Sequence, residues 1–171
     1  PILSFTSEEI WAELAGERPE SVFLSTWYDL PEIEQSKIDW DAVLKVRDAV
    51  SKELERLRGE GRIGSALGAE VDLYVDTQWQ KKLGTIGDEL RFVLITSEAQ
   101  VHSYDQRPDD ATVAAEPGLE KVAILATASE HAKCVRCWHR RADIGSDTGH
   151  PELCARCVTN LSGDGEPRQF A

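Results

Sequence analysis

Two short cysteine clasps, Cys134-Val135-Arg136-Cys137 and Cys154-Ala155-Arg156-Cys157, constrain this chain more than any other feature of it. A two-residue gap lets both sulfurs of a clasp turn toward one point, with the backbone N–H groups of the turn facing them. The sixteen residues between the clasps fall within the spacing of four-cysteine zinc sites. Four soft anionic ligands suit a tetrahedral zinc ion with sulfur bonds of about 2.3 Å. The chain has 4 cysteines in all, and their close pairing favours metal ligation in a reducing compartment over a disulfide scaffold. A disulfide pair, a redox motif and iron are the competing readings. Four protein ligands leave no position for water, so the metal is expected to be structural. It would fold a segment whose apolar residues (Val135, Trp138, Ile144, Leu153 and Val158) are too few to close a core unaided. His139 and His150 are rival ligands by position, but four sulfurs already complete the site.

Charge decides how that segment relates to nucleic acid. The net charge of −12 argues against such a partner if it is spread evenly. It is not even: residues 1–58 and 59–132 carry −6 and −7, whereas residues 133–171 carry +1. Arg136, Arg140, Arg141, Arg156 and Arg168 surround the clasps, and the planar guanidinium fork suits phosphate. Trp138 and Phe170 are platforms on which unpaired bases can stack. Trp138 can equally cover the metal, and charge alone leaves a structural clip and a nucleic-acid contact evenly matched.

Upstream, Thr6 and Glu9 form a capping box, with Phe5 and Ile10 as its hydrophobic staple, predicting a helix that stops near Gly16. Residues 17–38 read as a long connection packed on the helices. A second helix is predicted from Asp39 or Asp41 to about Arg58, ended by Gly59 or Gly61. Its buried stripe is Trp40, Val43, Leu44, Arg47, Val50, Leu54 and Leu57. Lys45, Lys52, Arg56 and Arg58 lie off that stripe, as solvated groups with partners one turn away. Glu70 to Asp76 alternates polar and apolar residues, which predicts a half-buried strand. Trp79, Leu83, Ile86 and Leu90 are spaced for a helix over 77–90. The continuous run Phe92-Val93-Leu94-Ile95 suits a strand buried on both faces. Further strands are expected at Val101–Tyr104 and Val122–Leu125, and a loop at Arg107–Asp110. The middle section, at roughly 65 residues, is small to stand alone.

Methionine is absent and the chain opens inside a patterned segment, so it reads as part of a longer protein. No apolar run approaches the ~20 residues of a membrane span, and no signal-peptide pattern is present. The expected compartment is the cytoplasm, without a membrane partner.

Together these residues resemble the C-terminal end of the bacterial isoleucyl-tRNA synthetase family. Pro1 to Trp11 is similar to a helix start in the anticodon-binding bundle of synthetases for branched aliphatic residues. Val46 to Val50, continuing through Arg62 to Leu67, is similar to the stretch that ends this bundle. Cys134 to Asn160, with Cys137-Trp138-His139 and Cys157-Val158-Thr159-Asn160, resembles the family's terminal zinc element, and Gly163 to Ala171 its end. The resemblance implies an α+β chain in three parts. Residues 1–62 would be the C-terminal helices of an anticodon-binding helical bundle, 63–130 a small α/β junction unit, and 131–171 a terminal four-cysteine zinc knuckle with its tail.

It further implies a parent ligase, monomeric, that activates isoleucine with ATP, loads it onto tRNA and hydrolyses mischarged valine in an editing domain. None of the ATP-binding signatures lies in these residues, so ATP belongs to other parts of the parent and no catalytic residue is expected here. What carries over is recognition of the anticodon side of isoleucine tRNA, with one structural zinc on Cys134, Cys137, Cys154 and Cys157. The residues expected at the RNA are Arg136, Trp138, Arg156, Arg168 and Phe170. DNA is not expected as a partner. A rival reading is the zinc-finger part of a DNA-repair glycosylase, which would use Pro1 as an amine nucleophile. Its companion acid should follow at once, and Ile2 stands there instead. A purely structural zinc module is the third reading.

Overall fold

The computed structural model describes residues 3–32 and 37–170. Pro1 and Ile2, residues 33–36 and Ala171 lie outside them, and with them the reading of Pro1 as a nucleophile. The chain forms two compact units, residues 1–35 and 36–171.

In the first unit, helix α1 (Ser4–Glu13) begins three residues earlier than the capping box predicts. Thr6 therefore lies inside the first turn, and no side chain caps the end. Phe5 and Ile10 are exposed, so the staple does not form. The acid that matters is Glu8. Its carboxylate accepts from Ser21 Oγ and from the Val22 N–H, both at 3.1 Å, at a short 3-10 turn (Val22–Leu24). Trp11 Nε1 donates to Pro19 O at 2.9 Å. The connection thus folds back on α1 through polar links, while Phe5, Phe23, Leu24, Trp27, Tyr28 and Leu30 remain exposed.

The second unit is α+β. Helix α2 (Trp40–Gly59) starts as expected, with the Asp39 carboxylate accepting from the Ala42 N–H at 3.1 Å. It closes at Gly61, whose φ of +71° lets the Gly61 N–H reach Arg58 O and the Arg62 N–H reach Leu57 O, both at 3.0 Å. That paired closure satisfies two orphan carbonyls and favours glycine at this position. The buried face is Ala42, Val43, Val46, Ala49, Val50, Leu54 and Leu57. Leu44 and Arg47, expected in the stripe, lie outside it, and Ala42, Val46 and Ala49 are buried instead. Arg56 pairs with Glu53 and Glu60, and Arg58 with Glu55.

Strand β1 (Ala69–Val75) buries every second residue from Ala69 to Val75, the alternation the sequence carries. Helices α3 (Thr77–Gly84) and α4 (Leu90–Leu94) follow, then β2 (Glu98–Ser103), β3 (Thr112–Val113) and β4 (Val122–Ala128). The sheet order is β2-β1-β4-β3, with β1 parallel to β2 and antiparallel to β4. A parallel pair needs a crossover, and α3 with α4 supplies it. Phe92–Leu94 is therefore helical rather than a strand, and Ile95 is its C-cap. Trp79, Leu83, Ile86, Leu90 and Leu94 are all buried, so one helical spacing runs on through the apolar run. Ile95 ends it at φ +58°, with the Thr96 N–H on Arg91 O at 2.9 Å. Helix α2 shares its core with this sheet: Val43, Val50 and Leu57 pack in one cluster with Val71, Leu73, Ile124, Leu83 and Leu90. No helix among the described residues is long and apolar enough to cross a membrane.

Candidate metal centre and nucleic-acid interface

Residues 133–162 form a hairpin followed by a helix. Lys133 bridges Arg140, the Cys134 N–H donates to His139 O, and the Trp138 N–H donates to Cys134 O, each of these two hydrogen bonds 2.9 Å long. The first clasp closes only because Trp138 takes φ +66°, a region that bulky side chains rarely enter. No glycine marks the turn, so the sequence carries no sign of it. The second clasp lies at the start of helix α5 (Ala155–Ser162), with Cys154 at the N-cap position and Cys157 buried in the first turn.

The four sulfurs lie within 4.8 Å of one another, with Cys137 and Cys154 Sγ 3.7 Å apart. A tetrahedral ion with bonds of about 2.3 Å sets sulfur separations near ~3.8 Å. All four cysteines are free of disulfides. Burial pushes the Cys134 thiol up, but N–H groups of Cys137, Cys154 and Arg136 outweigh it and bring it to about 6. Burial pushes Cys154 up to about 12 and raises Cys157 as well. Four thiolates so close need a cation among them, and the donor set fits a soft divalent metal. A metal held here has no open coordination position and supplies shape, not reaction chemistry. His139 stands off this centre, packed edge-on against Phe92 with ring centroids 5.8 Å apart. His150 contributes to no ligand cluster among the described residues.

Residues 133–160 match the family model described as the zinc finger found in FPG and IleRS. Residues 1–73 match that of the anticodon-binding domain of tRNA ligase. The isoleucine–tRNA ligase of Nitrosococcus oceani is 53% identical over 176 residues, covering 100% of this chain and 18% of that protein. Those of Halorhodospira halophila and Ectopseudomonas mendocina are 53% and 54% identical, again over 100% of this chain and 19% and 18% of theirs. The chain belongs to the isoleucine–tRNA ligase family. It spans less than a fifth of the length of these relatives, and the stretch that matches the zinc-finger model contains its four gathered cysteines.

Within this family member, the residues expected at RNA separate into two groups. Arg136 and Trp138 stand on the first clasp; Trp138 is 60% exposed with Lys133 Nζ 5.1 Å from its ring. Arg136 is exposed too, and its Nη1 lies 3.5 Å from Cys157 Sγ. Arg156, Arg168 and Phe170 are instead engaged within the chain. Glu166 accepts from Arg156 at 2.7 Å and Arg168 at 2.9 Å, and both guanidinium groups lie over the Phe92 ring, at 5.2 and 4.0 Å. Glu89 accepts from the Gln169 and Phe170 N–H groups at 2.8 and 2.7 Å, while the Phe170 side chain packs on the main core. The tail is thus strapped back beside α4. The knuckle is pinned a second time by Ser97, whose hydroxyl donates to Leu67 O and accepts from the Arg140 N–H, each at 2.6 Å. Arg141 pairs with Glu98 beside it. Glu89, Ser97 and Glu98 escape sequence reasoning because their partners in the knuckle and tail lie more than forty residues away.

Burial pushes the Glu166 carboxyl up, but hydrogen bonds from Arg168, Asn160 and Arg156 outweigh it and hold the carboxyl below its ordinary value. A carboxylate lowered on folding stabilises the folded form fully above the ordinary glutamate range, ~4.3, and less as pH falls through its folded value. Acidification below about pH 4.3 should therefore loosen the Glu166 end of the strap, read as faster hydrogen exchange at the Glu166 amide, which donates to Asn160 Oδ1. Glu166→Gln should flatten that pH dependence. An unchanged profile in the variant would remove Glu166 from the account.

Proposed function

We propose that this chain is the anticodon-side recognition segment of an isoleucine–tRNA ligase. In this reading residues 1–62 end the anticodon-binding bundle, 63–130 form a junction, and 131–171 are the zinc knuckle and its tail. The observation that carries the proposal is the pairing of the two family matches, one over the first helices and one over the gathered cysteines. The exposed apolar side chains of the first unit support it, since a helix packed in a larger bundle has such a face. Cys134, Cys137, Cys154 and Cys157 hold one structural zinc ion. Arg136 and Trp138 meet the RNA directly, by ionic contact and by stacking on a splayed base. Arg156, Arg168 and Phe170 serve that surface by fixing the tail behind it.

The parent activity is attachment of isoleucine to its tRNA, in a monomer of the cytoplasm, with ATP bound in other parts of the parent and no membrane or DNA partner. The glycosylase reading shares only the zinc-finger model, and the relatives that cover the whole chain are isoleucine–tRNA ligases. Filter binding of the chain to isoleucine tRNA and to a control tRNA, across salt concentrations, tests the proposal. The expected result is preferential binding that weakens steeply as salt rises, with Arg136→Ala lowering the slope by about one phosphate contact. Equal binding to both RNAs, or binding indifferent to salt, would count against it.

A further inference from the structure

A cavity of about 110 Å³ lies between the knuckle and α4, walled by the guanidinium-bearing Arg91, Arg141 and Arg156 and by Cys137 and Cys154. Arg141 has Glu98 and Arg156 has Glu166 as ion-pair partners, but Arg91 has no ion pair among the described residues. Burial, and then the neighbouring Arg141 charge, lowers the Arg91 guanidinium from its ordinary value. A half-buried cation beside two others is costly unless negative charge faces it. Glu98 and Asp88 act on Arg91 in that sense without outweighing burial and Arg141, and Asp143 lines the same cavity. A divalent ion on four thiolates leaves two negative charges on the sulfurs, and two of those ligands line this cavity. Arg136 already lies 3.5 Å from Cys157 Sγ, and Arg156 lines the same cavity as Cys137.

We propose that Arg91, a residue of α4, is the counter-charge of the zinc–thiolate centre, so that metal loading and docking of the knuckle on the α/β part strengthen each other. This rests on the zinc reading above. The alternative use of such a cluster, capture of a free anion, is opposed by Asp143. Its Oδ1 is buried at the same cavity without a hydrogen-bond partner, 3.8 Å from Arg141 Nε, and would repel a second anion. Arg91 is thus a positioning residue, acting on the metal through its ligands. Because binding free energies are reciprocal, the ion must hold Arg91 in place as firmly as Arg91 favours the ion.

The test uses the full chain, competing for zinc against a chelator of known affinity. Arg91→Gln should bind zinc about ten-fold more weakly, the low end for outer groups that orient metal ligands, and Arg91→Lys should recover most of the loss. Zinc should also slow hydrogen exchange at the Ile95 and Thr96 amides, which close α4 on the Phe92 and Arg91 carbonyls, and Arg91→Gln should abolish that slowing. Circular dichroism of the metal-free variant should match the unaltered chain, which separates the effect from a folding defect. Wild-type affinity in Arg91→Gln, failure of lysine to restore it, or α4 amides indifferent to zinc would each overturn the proposal. No zinc uptake by the unaltered chain would overturn the zinc reading beneath it.

Discussion

Cys154→Ser should cost the chain its zinc, about one equivalent per molecule, and with it the fold of residues 134–171. Cys154 does three things at once. It supplies a sulfur 3.7 Å from Cys137 Sγ, it stands at the N-cap position of α5, and its N–H points at Cys134 Sγ at 3.5 Å. A serine hydroxyl keeps the shape but is a poor ligand for a thiolate-preferring ion. Structural zinc contributes ~10–16 kcal/mol of apparent binding energy in zinc-finger peptides, and that energy is folding energy. The knuckle's own buried cluster is the cysteines with Ile144 and Leu153 packed on them, too little to replace it. Metal analysis gives the stoichiometry. Hydrogen exchange should show the Trp138 and Val158 amides unprotected while α2 and β1 stay protected. Unchanged zinc content in the variant would rule out the four-sulfur site.

Leu57→Ala should destabilise the second unit by ~2–5 kcal/mol, the range for a buried leucine cut back to alanine. Leu57 is fully buried near the end of α2, in the same cluster as Val71, Leu73 and Ile124. If helix and sheet share one core, the loss spreads: amides of β1 and β4 should exchange faster in step with those of α2. Leu44→Ala, on the exposed side of the same helix, should stay within about 0.5 kcal/mol of the unaltered chain. Denaturant unfolding gives both values. Sheet amides unaffected by Leu57→Ala would mean that α2 folds as a separate piece.

Features set by neighbours a few residues apart were legible before any coordinates. The two-residue gap in each clasp gathers sulfurs, Asp39 caps the helix it precedes, and alternation from Ala69 to Val75 makes a strand with one buried face. These follow from bond geometry and local periodicity. The Phe92–Ile95 run shows where such reasoning stops. Four apolar residues fit a buried strand or a helical turn equally well, and the crossover between parallel β1 and β2 decides for the helix. Thr6 failed as a cap because the helix begins at Ser4, and a capping signal two residues inside a helix has no free end to serve.

Tertiary structure alone decided which arginines are held by partners within the chain. By composition Arg136, Arg156 and Arg168 are equivalent members of a basic cluster. The fold gives two of them to Glu166 and the Phe92 ring, and leaves Arg136 beside an exposed Trp138. It also joins Glu89 to Phe170 across 81 positions and brings Arg91 to the cavity that Cys137 and Cys154 line. Sequence pairs the sulfurs within each clasp because a turn needs only short, local spacing. The charges around them are fixed by chain-distant contacts, which exist only once the core that brings the segments together has formed.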